Sequence, residues 1–262
     1  MDLGIEGKRA LVCASAGGLG LATARRLAME GCIVALCDKD ESKLNDALAS
    51  VKEAGAAQAQ AYPVDLTESE AIEGLVRSVK MDLGPIDILV TNSGGPPPGT
   101  FDDATDEKWL YTYQLTFLSA VRLIRLVLPD MKTAGWGRIV NFTSRALREP
   151  IPNLMLSNAV RLAVGGMAKT LAAEVASHGI TVNNICPGPT STDRALELAA
   201  ARAEKKNIGV EEEMELTARR IPRGRLATPD EQAAAATFLA SDLAGHITGI
   251  SLLVDGGETR AL

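Results

Sequence analysis

Short apolar runs alternate along the chain with longer stretches in which apolar positions recur every three or four residues. Residues 8–13 (KRALVC), 32–37 (CIVALC), 58–64, 87–91 (DILVT), 138–142 (RIVNF), 181–186 (TVNNIC) and 250–254 (ISLLV) read as strands. Between them, Leu19, Ala22, Leu27 and Ala28 predict a helix ending at Gly31. Leu44, Ala47, Leu48 and Val51 predict a second, stopped at Gly55, and Ile72, Leu75, Val76 and Val79 a third, ending near Gly84 and Pro85. One long helix is expected from residue 106 to about 131, a fifth over 155–178 and a further one over 229–241. Runs of β-branched residues and leucine mean strands covered on both faces. Their alternation with helices implies right-handed crossovers and a parallel sheet. The expected fold class is α/β: a single domain over 1–262, a doubly wound parallel sheet of about seven strands with helices on both faces. The charged stretch 195–220 (LELAAARAEKKNIGVEEEMELTARRI) has helical patterning and no strand, and is expected to be a lid-like insertion.

Composition narrows the function classes. With 27 Lys and Arg against 33 Asp and Glu, the chain carries a formal charge of −6 and lacks the general electrostatic grip that nucleic acid or an anionic membrane requires. A basic segment followed by an apolar core is missing from the first residues, so no signal peptide is expected. The four cysteines (Cys13, Cys32, Cys37, Cys186) form no C-x-x-C pair, and only two histidines accompany them, so no metal site is expected. Three of them lie in apolar, strand-like runs and read as small core residues in a reducing compartment, taken as cytoplasmic.

The junction of the first strand and helix reads Cys13-Ala14-Ser15-Ala16-Gly17-Gly18-Leu19-Gly20. Small residues there let backbone approach a pyrophosphate, and a helix N-terminus offers free N–H groups and a positive dipole end. Asp38 closes the second strand twenty residues after Gly18. A carboxylate at that point accepts hydrogen bonds from ribose hydroxyls and repels a 2′-phosphate, favouring NAD over NADP. Lys39 beside it could instead meet a phosphate.

These segments, with Asp65-Leu66-Thr67, Asn92-Ser93-Gly94-Gly95, Pro187-Gly188-Pro189-Thr190-Ser191-Thr192 and the tail from Ile221-Pro222-Arg223 to Val254-Asp255-Gly256-Gly257, resemble the short-chain dehydrogenase/reductase family over residues 6–258, in particular its 3-oxoacyl-acyl carrier protein reductase-like branch. The resemblance implies a Rossmann-type fold and an NAD(P)-dependent oxidoreductase acting on a hydroxyl or carbonyl group. It also implies a small-molecule substrate and a homotetramer, with helices four and five in one interface and the last helix and strand in another. It assigns cofactor binding to Ser15, Gly18, Leu19, Gly20, Asp38, Asp65, Leu66, Asn92, Gly94, Arg161, Pro187, Gly188, Thr190 and Thr192. In the family's T-G-x-x-x-G-x-G turn, Cys13 and Ala14 replace Thr and Gly.

The family's catalytic tetrad is Ser, Tyr thirteen residues later, Lys four further on, and Asn on helix four. Ser144 fits the serine, but the other positions hold Ser157, Arg161 and Thr116. A phenol beside a cation can be drawn toward the working pH, whereas an alkyl hydroxyl cannot, and arginine keeps its proton. Arg161 can still grip a carboxylate, phosphate or ribose hydroxyls with its planar fork, and it shares a helix face with Ser157.

Each of these residues has a plainer reading. Ser144 could be satisfied by backbone at a strand end, Arg161 paired at the surface with Glu149 or Glu174, and Thr116 packed on a helix face. Tyr111 and Tyr113, on different faces of helix four, are candidate substitute phenols. Arg145, Arg148, Arg161 and Arg194 would suit an anionic substrate if they converge, and are otherwise solvated. Two alternative functions remain open. One is a non-catalytic nucleotide-binding or assembly paralogue. The other is a lyase or dehalogenase on the same scaffold, since halohydrin dehalogenases resemble this family and carry Arg in place of the Lys.

Overall fold

A computed structural model describes residues 1–261. Seven strands lie in the order β3-β2-β1-β4-β5-β6-β7: β1 Arg9–Cys13, β2 Ile33–Asp38, β3 Ala59–Pro63, β4 Ile88–Thr91, β5 Gly137–Phe142, β6 Ile180–Pro187 and β7 Ser251–Val254. Every neighbouring pair is parallel, for example Leu11 beside Ala35 and Leu89. The helices are α1 Gly18–Met29, α2 Glu41–Glu53, α3 Ser69–Leu83, α4 Asp106–Thr112, α5 Ser119–Ala134, α6 Met155–Val175, α7 Asp193–Lys206, α8 Val210–Arg220 and α9 Pro229–Leu239.

Side chains alternate across each strand, so the sheet makes two cores. Leu11, Cys13, Ala35, Leu89 and Val182 pack under α3, α5 and α6 through Ile72, Val76, Leu123, Val127 and Ala172. Val12, Val34, Leu36, Val90 and Val140 pack under α1, α2 and α9 through Leu27, Leu44, Val51, Ala236 and Leu239. All four cysteines are buried and free. Among the described residues no helix is long and apolar enough to cross a membrane.

The expected long fourth helix is interrupted. Between α4 and α5, Tyr113–Leu118 form a π turn. One extra residue in the turn re-aims the following helix, so Thr112, Thr116 and Ser119 all face inward ahead of Leu123 and Val127. Thr112 Oγ1 and Ser119 Oγ back-bond to the carbonyls of Lys108 and Leu115 within this stretch. The helix expected over 155–178 is α6, which ends at Val175, and a 3₁₀ turn carries the chain to His178.

Strand order reverses between β1 and β4, the point at which an open α/β sheet leaves a crevice beyond the carboxyl ends of its strands. The 195–220 stretch forms most of α7 and all of its partner α8, and both border that crevice.

Candidate active site

The crevice is a cleft of about 1300 Å³. At one end the β1–α1 turn enters it. Gly17 caps α1 without any side-chain hydrogen bond, whereas Asp40, Thr192 and Thr228 cap α2, α7 and α9. The first N–H groups of α1 are therefore left for a ligand. A Cβ on Gly20 would lie 2.2 Å from the Ala14 carbonyl oxygen, so only glycine lets the helix start this close to the strand. Gly18 and Leu19 line the cleft, but Ser15 and Gly20 do not. Ser15 is wholly buried: its Oγ donates to the Val12 carbonyl and accepts from the Cys37 N–H, tying β1 to β2. Both residues shape the turn from behind.

Asp38 lies beside the turn. Its Oδ2 accepts from the Ala16 N–H at 3.1 Å, and its Oδ1 from those of Lys39 and Asp40. These bonds fix a carboxylate at the cleft wall, with Lys39, Lys43 and Arg25 nearby on the same rim. Asp65 and Leu66 complete this end. The Thr67 N–H and hydroxyl both donate to Asp65 and hold its carboxyl below the usual range. Asn92 reaches from the end of β4 toward the Ala14 carbonyl at 3.4 Å, with Gly94 beyond it. Pro187, Gly188, Thr190 and Thr192 form the opposite wall after β6. The residues present thus fit a dinucleotide: open N–H groups at its middle and a fixed carboxylate at one end.

The other end holds Ser144, Ser157 and Arg161 together. Ser144 Oγ accepts from the Ala146 N–H at 3.1 Å, as the plainer reading expected, which leaves its own proton free to donate. Arg161 is only 9% exposed. Its Nε donates to Ser157 Oγ at 3.2 Å and its Nη1 to the Phe142 carbonyl at 3.0 Å. Ser157 Oγ, like Ser144 Oγ, keeps its proton for another partner. The surface ion pair with Glu149 or Glu174 does not form; no carboxylate lies within salt-bridge range of Arg161 among the described residues. Burial, and then the nearby Arg194, push the guanidinium down to about 10.

Thr116 is buried behind the cleft-lining Leu115, its Oγ1 without a hydrogen-bond partner. Tyr111 lines the cleft, half exposed, while Tyr113 turns away and stacks on Phe117 with ring centroids 5.2 Å apart. The four arginines do not converge as a free cluster. Arg145 pairs with Glu258, Arg194 pairs with Glu197 and donates to the Pro96 carbonyl, and Arg148 is exposed. Only Arg161 keeps an unpaired buried charge.

A model of the family described as "Enoyl-(Acyl carrier protein) reductase" matches residues 13–259. The chain is 34% identical over 256 residues to 2,3-dihydro-2,3-dihydroxybenzoate dehydrogenase of Bacillus subtilis, covering 98% of this chain and 97% of that protein. It is equally 34% identical over 258 residues to D-beta-hydroxybutyrate dehydrogenase of Cupriavidus necator, covering 97% and 98%. The solved structure of L-sorbose reductase from Gluconobacter frateurii, complexed with NADPH and L-sorbose, superposes with a TM-score of 0.95 at 33% identity over all of both chains. The chain belongs to the short-chain dehydrogenase/reductase family. It is an NAD(P)-dependent oxidoreductase with ketoacyl-reductase-like relatives, and its sheet and flanking helices are those of the family's Rossmann fold.

Two features of this family member escaped the sequence reading. Glu213 on α8 is fully buried and bound by Arg202 Nε at 2.7 Å and Lys206 Nζ at 2.6 Å from α7, with Arg220 at 3.9 Å. Burial pushes its carboxyl up, but the Lys206 and Arg202 bonds outweigh this and hold it below the usual range. The bonds join α7 and α8 into one unit. The second feature is the Arg145–Glu258 pair. Neither had a local signal beyond an i,i+4 spacing of cations on α7.

Proposed function

We propose that the cleft binds NAD(H) and uses it to oxidise or reduce a small anionic substrate at a hydroxyl or carbonyl carbon. The observation that carries the anionic reading is Arg161: a buried guanidinium on the cleft wall, with spare N–H groups and, among the described residues, no carboxylate to neutralise it. A buried charge without a counter-ion is costly, and a bound anion removes that cost. Two relatives are named for carboxylates, a dihydroxybenzoate and a hydroxybutyrate.

The dinucleotide, when bound, supplies or accepts the hydride. The open N–H groups of α1 hold its pyrophosphate, and Asp38 accepts from the adenosine ribose hydroxyls, with Asp65, Leu66, Asn92, Gly94, Pro187, Gly188, Thr190 and Thr192 around it. The hydroxyls of Ser144 and Ser157, each accepting one bond from the protein, donate hydrogen bonds to the substrate oxygen. Arg161, touching Ser157, adds its positive charge beside the oxygen as negative charge develops there. Thr116 has no part in this set. The α7–α8 unit serves as a lid, with Arg194 reaching from it to the Pro96 carbonyl across the cleft.

The choice of NAD rests on the fixed Asp38 carboxylate, which repels a 2′-phosphate. The solved relative with L-sorbose carries NADPH, so the choice is a property of this residue and not of the fold. Exposed Leu110, Tyr113 and Leu162 on the α4–α5 run and α6 support a homotetramer, and four buried free thiols support a reducing, cytoplasmic setting.

Calorimetric titration with NAD+, NADH, NADP+ and NADPH tests the cofactor. NADH is expected to bind more tightly than NADPH, and Asp38→Ser to narrow the gap. Tighter NADPH binding overturns the choice of NAD. NADH oxidation by acetoacetate and by its methyl ester tests the charge. The acid is expected to be favoured about tenfold, or ~1.4 kcal/mol, and a preference for the ester removes the anionic reading.

A further inference from the structure

The α7–α8 unit is tied by backbone to one wall of the cleft. At its entry the Ser191 N–H donates to the Ala227 carbonyl at 2.9 Å, and at its exit the Arg223 N–H donates to the Gly256 carbonyl at 3.2 Å. Between these ties the chain passes close to the start of α1. Thr192, which caps α7, comes so near that a Cβ on Gly18 would lie 3.5 Å from its Cγ2. The open N–H groups of α1 therefore lie next to the first turn of α7.

The opposite wall is the loop after β4, Gly94-Gly95-Pro96-Pro97-Pro98-Gly99. Three successive prolines restrict its backbone to a narrow, extended range. Its far end is pinned to the segment before α6. The Gly99 N–H donates to the Asn153 carbonyl at 2.8 Å, and the Gly99 carbonyl accepts from the Met155 N–H at 3.3 Å. Pro96 is buried, and its carbonyl accepts from Arg194 Nη2. The Arg194 side chain lies over Gly95, where a Cβ would stand 2.8 Å from Nε and 3.0 Å from Nη2. Among the described residues, this is the one hydrogen bond that α7 or α8 makes to that wall. A unit anchored at one edge thus meets a stiff loop through a single charged donor.

We propose that Arg194 is a positioning residue that latches the α7–α8 unit across the cleft, so that breaking its bond to Pro96 gates the entry and release of the dinucleotide. The inference rests on the reading of this cleft as a dinucleotide site and names the contact that regulates traffic through it. With the bond made, a hydrogen-bonded span runs from α7 through Arg194 and Pro96 to Gly99 and the start of α6. With it broken, the first turn of α7 is held only from its own wall. The partner of the latch is a backbone carbonyl and not a ligand atom, so the bond favours the closed unit to the same extent with or without a dinucleotide. Losing it speeds passage in both directions and leaves the equilibrium nearly where it was. A group that touched the dinucleotide would instead act on affinity, chiefly through release.

Stopped-flow mixing of the full chain with NADH, followed by nucleotide fluorescence, tests this. Loss of one charge-assisted hydrogen bond in Arg194→Met is expected to raise the association and dissociation rates together, by about tenfold or more, with Kd nearly unchanged. Arg194→Lys keeps a charged donor without the planar fork and should fall between the two. Glu197→Gln removes the ion pair of Arg194 but leaves its bond to Pro96, and should keep the wild-type rates. Unchanged rates in Arg194→Met overturn the proposal. So does a weaker affinity with association unchanged, which would make Arg194 a ligand-contacting group, and so does an equal acceleration in Glu197→Gln. Hydrogen exchange without nucleotide gives an independent readout. Residues 193–206 should exchange faster in Arg194→Met, with β4, β5 and the Gly99 amide unaffected, and equal exchange in the two proteins also overturns the latch. If NADH does not bind the wild type, the reading of the cleft as a dinucleotide site fails, while the exchange comparison still decides whether Arg194 holds α7.

Discussion

Arg161→Met is expected to stabilise the protein while destroying its site. Methionine has the length to fill the space on α6 and no charge to desolvate. The guanidinium is pushed from its usual range down to about 10, which corresponds to about 3 kcal/mol against the charged form in the fold. Removing the side chain also takes a donor from the buried Phe142 carbonyl, which costs about 1–2 kcal/mol. Ser157 lies nearer the opening of the cleft and can bond to water instead. The balance is a gain of about 1–2 kcal/mol, or a rise in Tm of about 2–6 °C for a chain of this size. The penalty is constant at every pH below the folded value of about 10 and is relieved only as pH rises through it. The difference between variant and wild type should therefore be flat across neutral pH. Differential scanning calorimetry without ligand measures it, and titration with NADH and acetoacetate measures the lost site. A Tm lower than that of the wild type would refute the reasoning, because it would mean that contacts inside the fold already compensate the buried charge and that no anion is needed.

Three further outcomes follow from single residues. Ala14 holds φ +47° in the nucleotide turn, a left-handed conformation that costs an L-residue about 1–2 kcal/mol. Allowing for the greater freedom of unfolded glycine, Ala14→Gly should raise stability by about 0.5–1 kcal/mol, read from the urea midpoint. Glu213→Gln should leave Arg202, Lys206 and Arg220 without their counter-charge. These cations are between a third and three fifths exposed, so the cost is about 1–2 kcal/mol and not the 3–5 kcal/mol of a fully buried pair. Hydrogen exchange over 210–220 should accelerate while the sheet is unaffected. Because the Glu213 carboxyl is held low in the fold, the same loosening should develop in the wild type as pH falls through that lowered value, and be absent above its ordinary one. Thr116→Val removes a buried hydroxyl without a partner and should gain about 1 kcal/mol with no change in activity. A loss of activity would place Thr116 in the reaction after all.

The limits of sequence reading show in three places. The long fourth helix was legible as helical, but the π turn at Tyr113–Leu118 was not: apolar spacing tolerates one inserted residue, and the inward row of Thr112, Thr116 and Ser119 is polar. Ser15 and Gly20 belong to the nucleotide turn by spacing, yet they brace it from the interior, a distinction that depends on which side of the backbone faces the cleft. Arg145 and Glu258 are 113 residues apart, and no periodicity links a strand-end arginine to a glutamate in the tail.

Alternating short and helical apolar periods were enough to establish seven parallel strands, the helices on both faces and the glycine turn at the first crossover. Those features are local: each depends on residues within one turn or one strand, and burying such faces leaves few ways to stack them. The state of each charged side chain was decided by the packed molecule alone. Arg161 could have been a surface cation on the same helix face. It carries an unpaired charge because β5 and the cleft walls close around it and, among the described residues, bring no carboxylate within reach. Desolvation depends on every wall of a cavity at once, and those walls come from segments far apart in the chain.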